Sequence, residues 1–276
     1  MKKKLKRSGR LVDMTYFLLQ HPHQLVSLNF FADRYASAKS SISEDLTIVK
    51  EIFENEKMGY LTTLPGASGG VRYEPAVPFE EGNELVEQLC ERLEEPDRLL
   101  PGGYLYMMDI LGNPGMMNDI GRLFAGMYRG QNIDAVMTIA TKGIPFAYAI
   151  ATYLDVPVSI VRRDHRVTEG SVVSINYVSG SSKRIQKMSL ARRSIPEGAD
   201  VLIVDDFMKG GGTARGMSDL LTEVDAHLVG IAVLVEAQHP ERLIDEYISL
   251  VRIAEVNEKT REIKAQPGNY REHLAD

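Results

Sequence analysis

The sequence predicts an α/β fold in which a small helical domain, residues 1–74, precedes a doubly wound parallel sheet built from residues 75–276. Residues 201–204, Val-Leu-Ile-Val, form an unbroken apolar run with three β-branched side chains. Such a run is typical of a strand that is buried on both faces. Similar runs alternate with segments of helical periodicity, which is the pattern of a parallel sheet. The front of the chain instead shows three short helical segments and then two β-prone runs around a glycine-rich tip.

Composition limits the classes of protein that the chain can belong to. Its 276 residues are enough for about two domains. The single cysteine, Cys90, excludes an internal disulfide framework and a cysteine-based zinc site. No apolar run approaches the roughly 20 residues that span a bilayer, and the basic N-terminus lacks the apolar segment of a signal peptide. We therefore expect a cytoplasmic protein with no membrane association and no metal site of its own.

The front domain has the plan of a winged helix-turn-helix. Apolar positions predict a first helix that ends near His21 and a second from Leu28 to Tyr35. A third is predicted to begin near Ser41, where Ser41 and Glu44 have the spacing of a capping box. The tight turn before it is typical of a helix-turn-helix. Residues 59–64 and 71–74 would form the hairpin, or wing.

Charge predicts a polyanion as the partner of this domain. Residues 1–74 carry 11 basic and 8 acidic side chains, although the whole chain has a net charge of −6. The helix-turn-helix plan indicates operator DNA, with basic side chains on the phosphates and the third helix in the major groove. The alternative is a small helical domain with a solvated basic tail. The predicted DNA-binding residues are Lys2, Lys3, Lys4, Lys6, Arg7, Arg10, Ser37, Lys39, Ser40, Ser43 and Arg72.

The rest of the chain alternates between predicted strands and helices. The strands are expected at residues 104–109, 135–140, 156–161, 201–204 and 228–235. The helices are expected at residues 82–92, 115–130 and 144–153, with another that begins at Thr213. Residues 162–193 interrupt the alternation with a β-prone run, a polar turn and several basic side chains.

The residues that follow the run at 201–204 have the pattern of a ligand-binding site. Asp205 and Asp206 follow the run directly, and a loop with three consecutive glycines leads into a helix. Ligands of open α/β sheets bind outside the carboxyl ends of the strands. Backbone N–H groups of a glycine-rich turn at a helix N-terminus suit a phosphate, and carboxylates suit the hydroxyls of a sugar. The pattern indicates a ribose 5-phosphate; the alternative is a capped turn without a ligand.

Four hydrophobic residues, two acids, a short variable run and Gly-Gly-Thr together resemble the phosphoribosyl pyrophosphate (PRPP) motif of type I phosphoribosyltransferases. The segment from Thr141 to Gly143 resembles the loop that meets the pyrophosphate in these enzymes, and residues 162–193 resemble the mobile hairpin that covers PRPP. The resemblance implies PRPP as a ligand, with Mg²⁺ possible alongside it. The residues it implies for PRPP are Asp205, Asp206, Phe207, Met208, Lys209, Gly210, Gly211, Gly212, Thr213, Thr141, Lys142 and Gly143.

The whole chain resembles the bacterial purine operon repressors, in which a winged helix precedes a phosphoribosyltransferase-like domain. The resemblance implies a homodimeric repressor of purine synthesis genes that senses PRPP and has lost transferase activity. Lys209 and Gly210 stand where the enzymes commonly have a small residue and a hydroxyl residue, and no base-recognition element is evident. We therefore expect no catalytic residues.

Two other functions remain open from the sequence. One is an active purine or orotate phosphoribosyltransferase with a nucleic-acid-binding appendage. The other is a DNA-binding protein that uses the second domain only for dimerisation. For the repressor, the expected direction of the response is release of DNA, because bound PRPP would cancel positive potential near Lys142 and Lys209 and would order the covering hairpin.

Overall fold

The computed structural model describes residues 5–66, 69–164, 170–178 and 184–274. The chain divides into two compact units. The first runs up to Pro78 and includes Tyr153–Asp155, and the second comprises Phe79–Thr152 and Val156–Asp276. Within the ranges given above, no helix has the length and apolar character needed to cross a membrane.

The first unit is a winged helix-turn-helix. Ser27 caps the second helix, because its side-chain oxygen accepts a hydrogen bond from the backbone N–H of Phe30 at 3.2 Å. The second helix ends at Ala36, which adopts the left-handed conformation with φ 49°. The elements are α1 (Arg7–Gln20), β1 (Val26–Ser27), α2 (Leu28–Tyr35), α3 (Lys39–Asn55), β2 (Gly59–Leu64) and β3 (Gly70–Pro75), with the strands in the order β1-β3-β2.

The prediction of a capping box at the start of α3 is wrong. The helix begins at Lys39, Ala38 is its N-cap, and no side chain caps it. The left-handed Ala36 turns the chain so sharply that only three residues separate the helices. Ser41 therefore lies inside the first turn of α3 rather than before it.

One apolar core holds this unit together. The three helices pack their buried faces against the inner face of the hairpin, so α3 is fixed with its other face in solvent. The buried residues of this core are Met14, Leu18, Val26, Phe31, Tyr35, Ile42, Leu46, Val49, Phe53, Leu61, Val71 and Tyr73.

The second unit is built on a six-stranded sheet in the order β13-β12-β11-β10-β6-β7. Five strands are parallel, and the edge strand β13 is antiparallel to β12. The helices are α4 (Phe79–Leu93), α5 (Met108–Leu111), α6 (Pro114–Met127), α7 (Gly143–Leu154) and α8 (Gly212–Glu223). The strands are β4 (Leu99–Leu100), β5 (Tyr104–Leu105), β6 (Ala135–Ile139), β7 (Val158–Val161), β8 (Val172–Val178), β9 (Ile185–Ala191), β10 (Asp200–Met208), β11 (His227–Ala237), β12 (Ile248–Asn257) and β13 (Glu262–Pro267).

The sheet departs from the prediction at two places. Residues 104–109 were expected to form one strand, but only β5 is extended, and it pairs with β4 outside the main sheet. Arg98 explains the difference: its guanidinium donates to the Tyr106 carbonyl and to both carboxylate oxygens of Asp109, and this folds the segment back. Strands β12 and β13 were not predicted at all.

The hairpin predicted within residues 162–193 is present as β8 and β9, which pair antiparallel. One of its faces packs on α8. Gly216 of α8 permits this contact, because a Cβ atom there would lie 2.7 Å from Met188 and 3.0 Å from Tyr177. The predicted turn at residues 179–182, together with Lys183, lies outside the described residues.

Candidate functional site

The candidate site lies at the carboxyl ends of β6 and β10. These strands are parallel neighbours, with Val204 opposite Thr138. The residues that follow Thr138 and Val204 therefore emerge side by side at one edge of the sheet. Strand β10 extends to Met208, four residues beyond its predicted end, so the two carboxylates sit on the strand itself. The edge is the place where open α/β sheets bind ligands.

Asp205 and Asp206 form a buried acidic pair. Asp205 is 5% exposed, and Asp206 is half-buried. Burial raises the pKa of Asp205 well above its usual range, the charge of Asp206 raises it further, and Arg163 opposes the change. Burial also raises the pKa of Asp206, against the opposing charge of Lys142. Burial removes water from both carboxylates and disfavours their charged forms. A pair of acids that is buried despite this cost is typical of a functional site rather than of a stabilising contact.

A glycine turn connects β10 to α8. Gly211 is the N-cap of α8 and adopts φ 77°, which glycine reaches at little cost. Lys209 is exposed, whereas Gly210, Gly211 and Gly212 are buried. The turn therefore presents backbone N–H groups at the start of a helix of 12 residues, an arrangement that binds phosphate.

The loop from Thr141 to Gly143 follows β6, the strand beside β10, and so lies at the same edge of the sheet. Thr141 and Lys142 are exposed, and the peptide bond between Ala140 and Thr141 is cis. Position 143 has no room for a side chain other than that of glycine, because a Cβ atom there would lie 2.3 Å from the Thr138 Oγ1 atom. That hydroxyl is buried and has no hydrogen-bond partner among the described residues. The effect of Lys142 on the Asp206 pKa places this lysine within electrostatic reach of the acidic pair.

Two of the residues at this edge were not singled out from the sequence. Arg163 follows β7 and acts electrostatically on Asp205. Its position at the carboxyl end of a parallel strand was a usable signal. Glu236, at the carboxyl end of β11, is fully buried and lies opposite Met208 of β10. A lone glutamate in a strand offers no comparable signal.

Predicted DNA-binding residues divide between exposed side chains and internal ion pairs. Lys6, Lys39, Ser40 and Ser43 are exposed, and the last three lie on α3. The Ser37 hydroxyl donates to the Tyr35 carbonyl. Lys2, Lys3 and Lys4 lie outside the described residues.

The three predicted arginines all have partners inside the first unit. Arg7 and Arg10 bind opposite oxygens of Asp45, at 3.0 Å and 2.7 Å. Asp45 is 1% exposed and joins the start of α1 to α3; its pair with Arg10 is largely buried, whereas Arg7 is 55% exposed. Arg72 pairs with the buried Glu74 on the wing at 2.8 Å. These arginines therefore form ion pairs within the first unit, and their contact with DNA stays a prediction.

Two family models match the chain. The model of the N-terminal domain of the bacterial purine repressor matches residues 6–75, and that of the phosphoribosyl transferase domain matches residues 108–267. The purine biosynthesis transcriptional repressor PurR of Bacillus subtilis is 57% identical over 274 residues, which cover 99% of this chain and 96% of the relative. The chain belongs to the bacterial purine repressor family.

A second full-length relative agrees with this assignment. The purine biosynthesis transcriptional activator PurR of Lactococcus lactis subsp. lactis is 49% identical over 266 residues, or 96% of this chain and 98% of the relative. An adenine phosphoribosyltransferase structure from Saccharomyces cerevisiae shares 20% identity and a TM-score of 0.49, covering 56% of this chain and 89% of that one. The full-length relatives are named as regulators, and this member of the family is a transcriptional regulator of purine biosynthesis rather than an enzyme.

Proposed function

We propose that the protein is a repressor that binds operator DNA through its first unit and senses PRPP through its second. Bound PRPP lowers the affinity for DNA. The family assignment supports regulation of purine biosynthesis. The observation that carries the choice of effector is the convergence of an acidic pair, a glycine turn at a helix N-terminus and a lysine loop at one edge of the sheet.

Each part of the proposed site suits one part of PRPP. Asp205 and Asp206 accept hydrogen bonds from the ribose hydroxyls, and such charge-assisted bonds are stronger than neutral ones. The N–H groups between Lys209 and Thr213 bind the 5-phosphate at the start of α8. Lys142 and the backbone of its loop bind the pyrophosphate. The ribose and both phosphate groups are thus held by neighbouring strand ends.

Magnesium is compatible with this arrangement as a companion of PRPP. Mg²⁺ keeps several waters and is usually bound through substrate phosphates with one or two carboxylates. The described residues contain no cluster of three metal-ligating side chains, so a metal without the ligand would find few partners. The half-buried Asp206 is the carboxylate available to such an ion.

Repression, rather than activation, is the proposed effect on transcription. The relative with 57% identity is named a repressor, and the one with 49% identity is named an activator. PRPP is a polyanion, and in the proposed site it neutralises positive charge at Lys142 and Lys209. Release of DNA by PRPP is therefore the proposed direction, with a typical coupling of about 5- to 150-fold. We also propose a homodimer in the cytoplasm, since helix-turn-helix regulators commonly bind two half-sites as dimers.

Calorimetric titration of the full chain tests the choice of ligand. PRPP is expected to bind with saturation at one site per chain, and ribose 5-phosphate more weakly because it lacks the pyrophosphate. ATP serves as a control anion with a ribose and three phosphates. Equal heats for PRPP and ATP, or no heat with PRPP, would contradict the proposal.

A further inference from the structure

A segment beyond β11, residues 241–247, packs against the glycine turn. The backbone N–H of Leu243 donates to the Gly210 carbonyl at 3.0 Å. Ile244 lies beside Gly211, where a Cβ atom would be 3.4 Å from the Ile244 side chain. The outer side of the turn therefore depends for its position on this segment, although Ile244 lies 34 positions after Gly210 in the sequence.

A buried carboxylate holds the segment at both ends. Glu236 forms an ion pair with Arg242 and accepts a hydrogen bond from the Tyr247 hydroxyl at 2.7 Å. Arg242 also donates to the Ala237 carbonyl and contacts the Tyr247 hydroxyl. These contacts close the segment into a loop around one fully buried acid.

Glu236 is also held from the sheet side. The Ser249 hydroxyl donates to its Oε1 atom at 2.8 Å, and the Arg252 Nε atom lies 3.1 Å from the same oxygen. Both partners belong to β12. A carboxylate fixed by the rigid sheet thus fixes the side chains of the segment, because a charged group with several donors is costly to displace from a buried place.

We propose that Glu236 and Arg242 are positioning residues for the phosphate-binding turn. Neither side chain is assigned a contact with the ligand. They hold residues 241–247 against Gly210 and Gly211, and this keeps the N–H groups of the turn in the arrangement that a phosphate requires. Preorganisation of this kind raises affinity by removing the cost of ordering the turn on binding. The inference rests on the proposed PRPP site.

The chain offers a matched control. Arg242 and Arg252 both bind Glu236, but Arg242 lies on the segment and Arg252 lies on β12. Arg242→Gln removes the link between the carboxylate and the segment. Arg252→Gln removes an arginine from the same carboxylate and leaves that link in place. Tyr247→Phe removes one hydrogen bond from the segment without a change of charge.

The experiment measures PRPP and inorganic pyrophosphate affinities for the wild-type chain and the three variants, with thermal unfolding of each. Arg242→Gln is expected to weaken PRPP binding about tenfold and Tyr247→Phe about threefold. Arg252→Gln should stay within twofold of the wild type. Pyrophosphate affinity should stay within twofold throughout, because pyrophosphate would bind at the Lys142 loop; a merely structural loss would lower both affinities together.

The outcomes separate the inference from the function on which it rests. A wild-type chain that binds no PRPP would overturn both. Equal PRPP affinities of the wild type, Arg242→Gln and Tyr247→Phe would overturn the positioning role alone. So would a parallel loss of PRPP and pyrophosphate binding, or an equal effect of Arg242→Gln and Arg252→Gln.

Discussion

Arg10 and Asp45 form a buried ion pair that links the first helix to the third. The Nη2 atom of Arg10 lies 2.7 Å from the Oδ2 atom of Asp45, and the two side chains are 12% and 1% exposed. Arg7 binds the other carboxylate oxygen. The start of α1 therefore lies beside the first half of α3, which is the helix proposed to read DNA.

Asp45→Asn should destabilise the first unit and weaken DNA binding. Removal of one partner from a buried ion pair leaves a charge uncompensated and typically costs about 3–5 kcal/mol. Chemical unfolding followed by operator titration measures both effects. Glu51→Gln, an exposed acid on the same helix, is the control and should change stability by less than about 0.5 kcal/mol. Equal stability of Asp45→Asn and the wild type would show that the pair does not hold the two helices together.

Shortening the basic arm should reduce the salt dependence of DNA binding. Deletion of residues 2–4 removes three lysines and spares Leu5, which packs against the core, and Lys6, the N-cap of α1. Each lost phosphate contact should lower the slope of log K against log salt by about 0.9. Fluorescence anisotropy with a labelled operator at several salt concentrations gives this slope. An unchanged slope would show that the deleted lysines make no contact with DNA phosphates.

The acidic pair should be necessary for PRPP and dispensable for DNA. Hydrogen bonds to charged groups contribute about 1.5–3 kcal/mol each, so the double variant Asp205→Ala, Asp206→Ala should lose at least a hundredfold in PRPP affinity. Calorimetry measures this loss, and anisotropy without PRPP should show DNA affinity close to that of the wild type. Normal PRPP binding by the double variant would place the ligand elsewhere.

The same pair should make the unliganded protein less stable as the pH rises. Burial raises the pKa of Asp205, with a further contribution from Asp206, so the folded state holds a proton that the unfolded chain, with a carboxyl pKa near 3.8, has released. The stability therefore falls with rising pH from that value up through the raised pKa. Asp205→Asn should unfold at a higher temperature than the wild type at about pH 8, and the difference should shrink toward about pH 4. A difference independent of pH would show that Asp205 does not titrate in this range.

Local sequence signals predicted the strand, turn and helix around the candidate site, because one segment carries the whole pattern. The buried run 201–204, the two acids and three glycines lie within 12 residues, and each has a strong conformational preference. Apolar spacing from Leu28 to Tyr35 likewise predicts the helix that the structure shows.

Features that depend on a distant partner were not apparent from the sequence. The DNA contact of Arg10 stays a prediction, but its carboxylate partner is 35 residues away and could not be found from spacing. Strand β13 lies at the edge of the sheet and alternates only weakly between apolar and polar residues, so pairing with β12 rather than its own pattern defines it. Glu236 likewise acquires its role only when residues 241–247 fold over the glycine turn.

In the proposed function, PRPP binding and DNA binding oppose each other. Titration of labelled DNA from upstream of purine synthesis genes, with and without saturating PRPP, measures the coupling directly. PRPP should weaken operator binding by about 5- to 150-fold, and operator DNA should weaken PRPP binding by the same factor. An operator affinity that PRPP leaves unchanged, or strengthens, would contradict the proposed function.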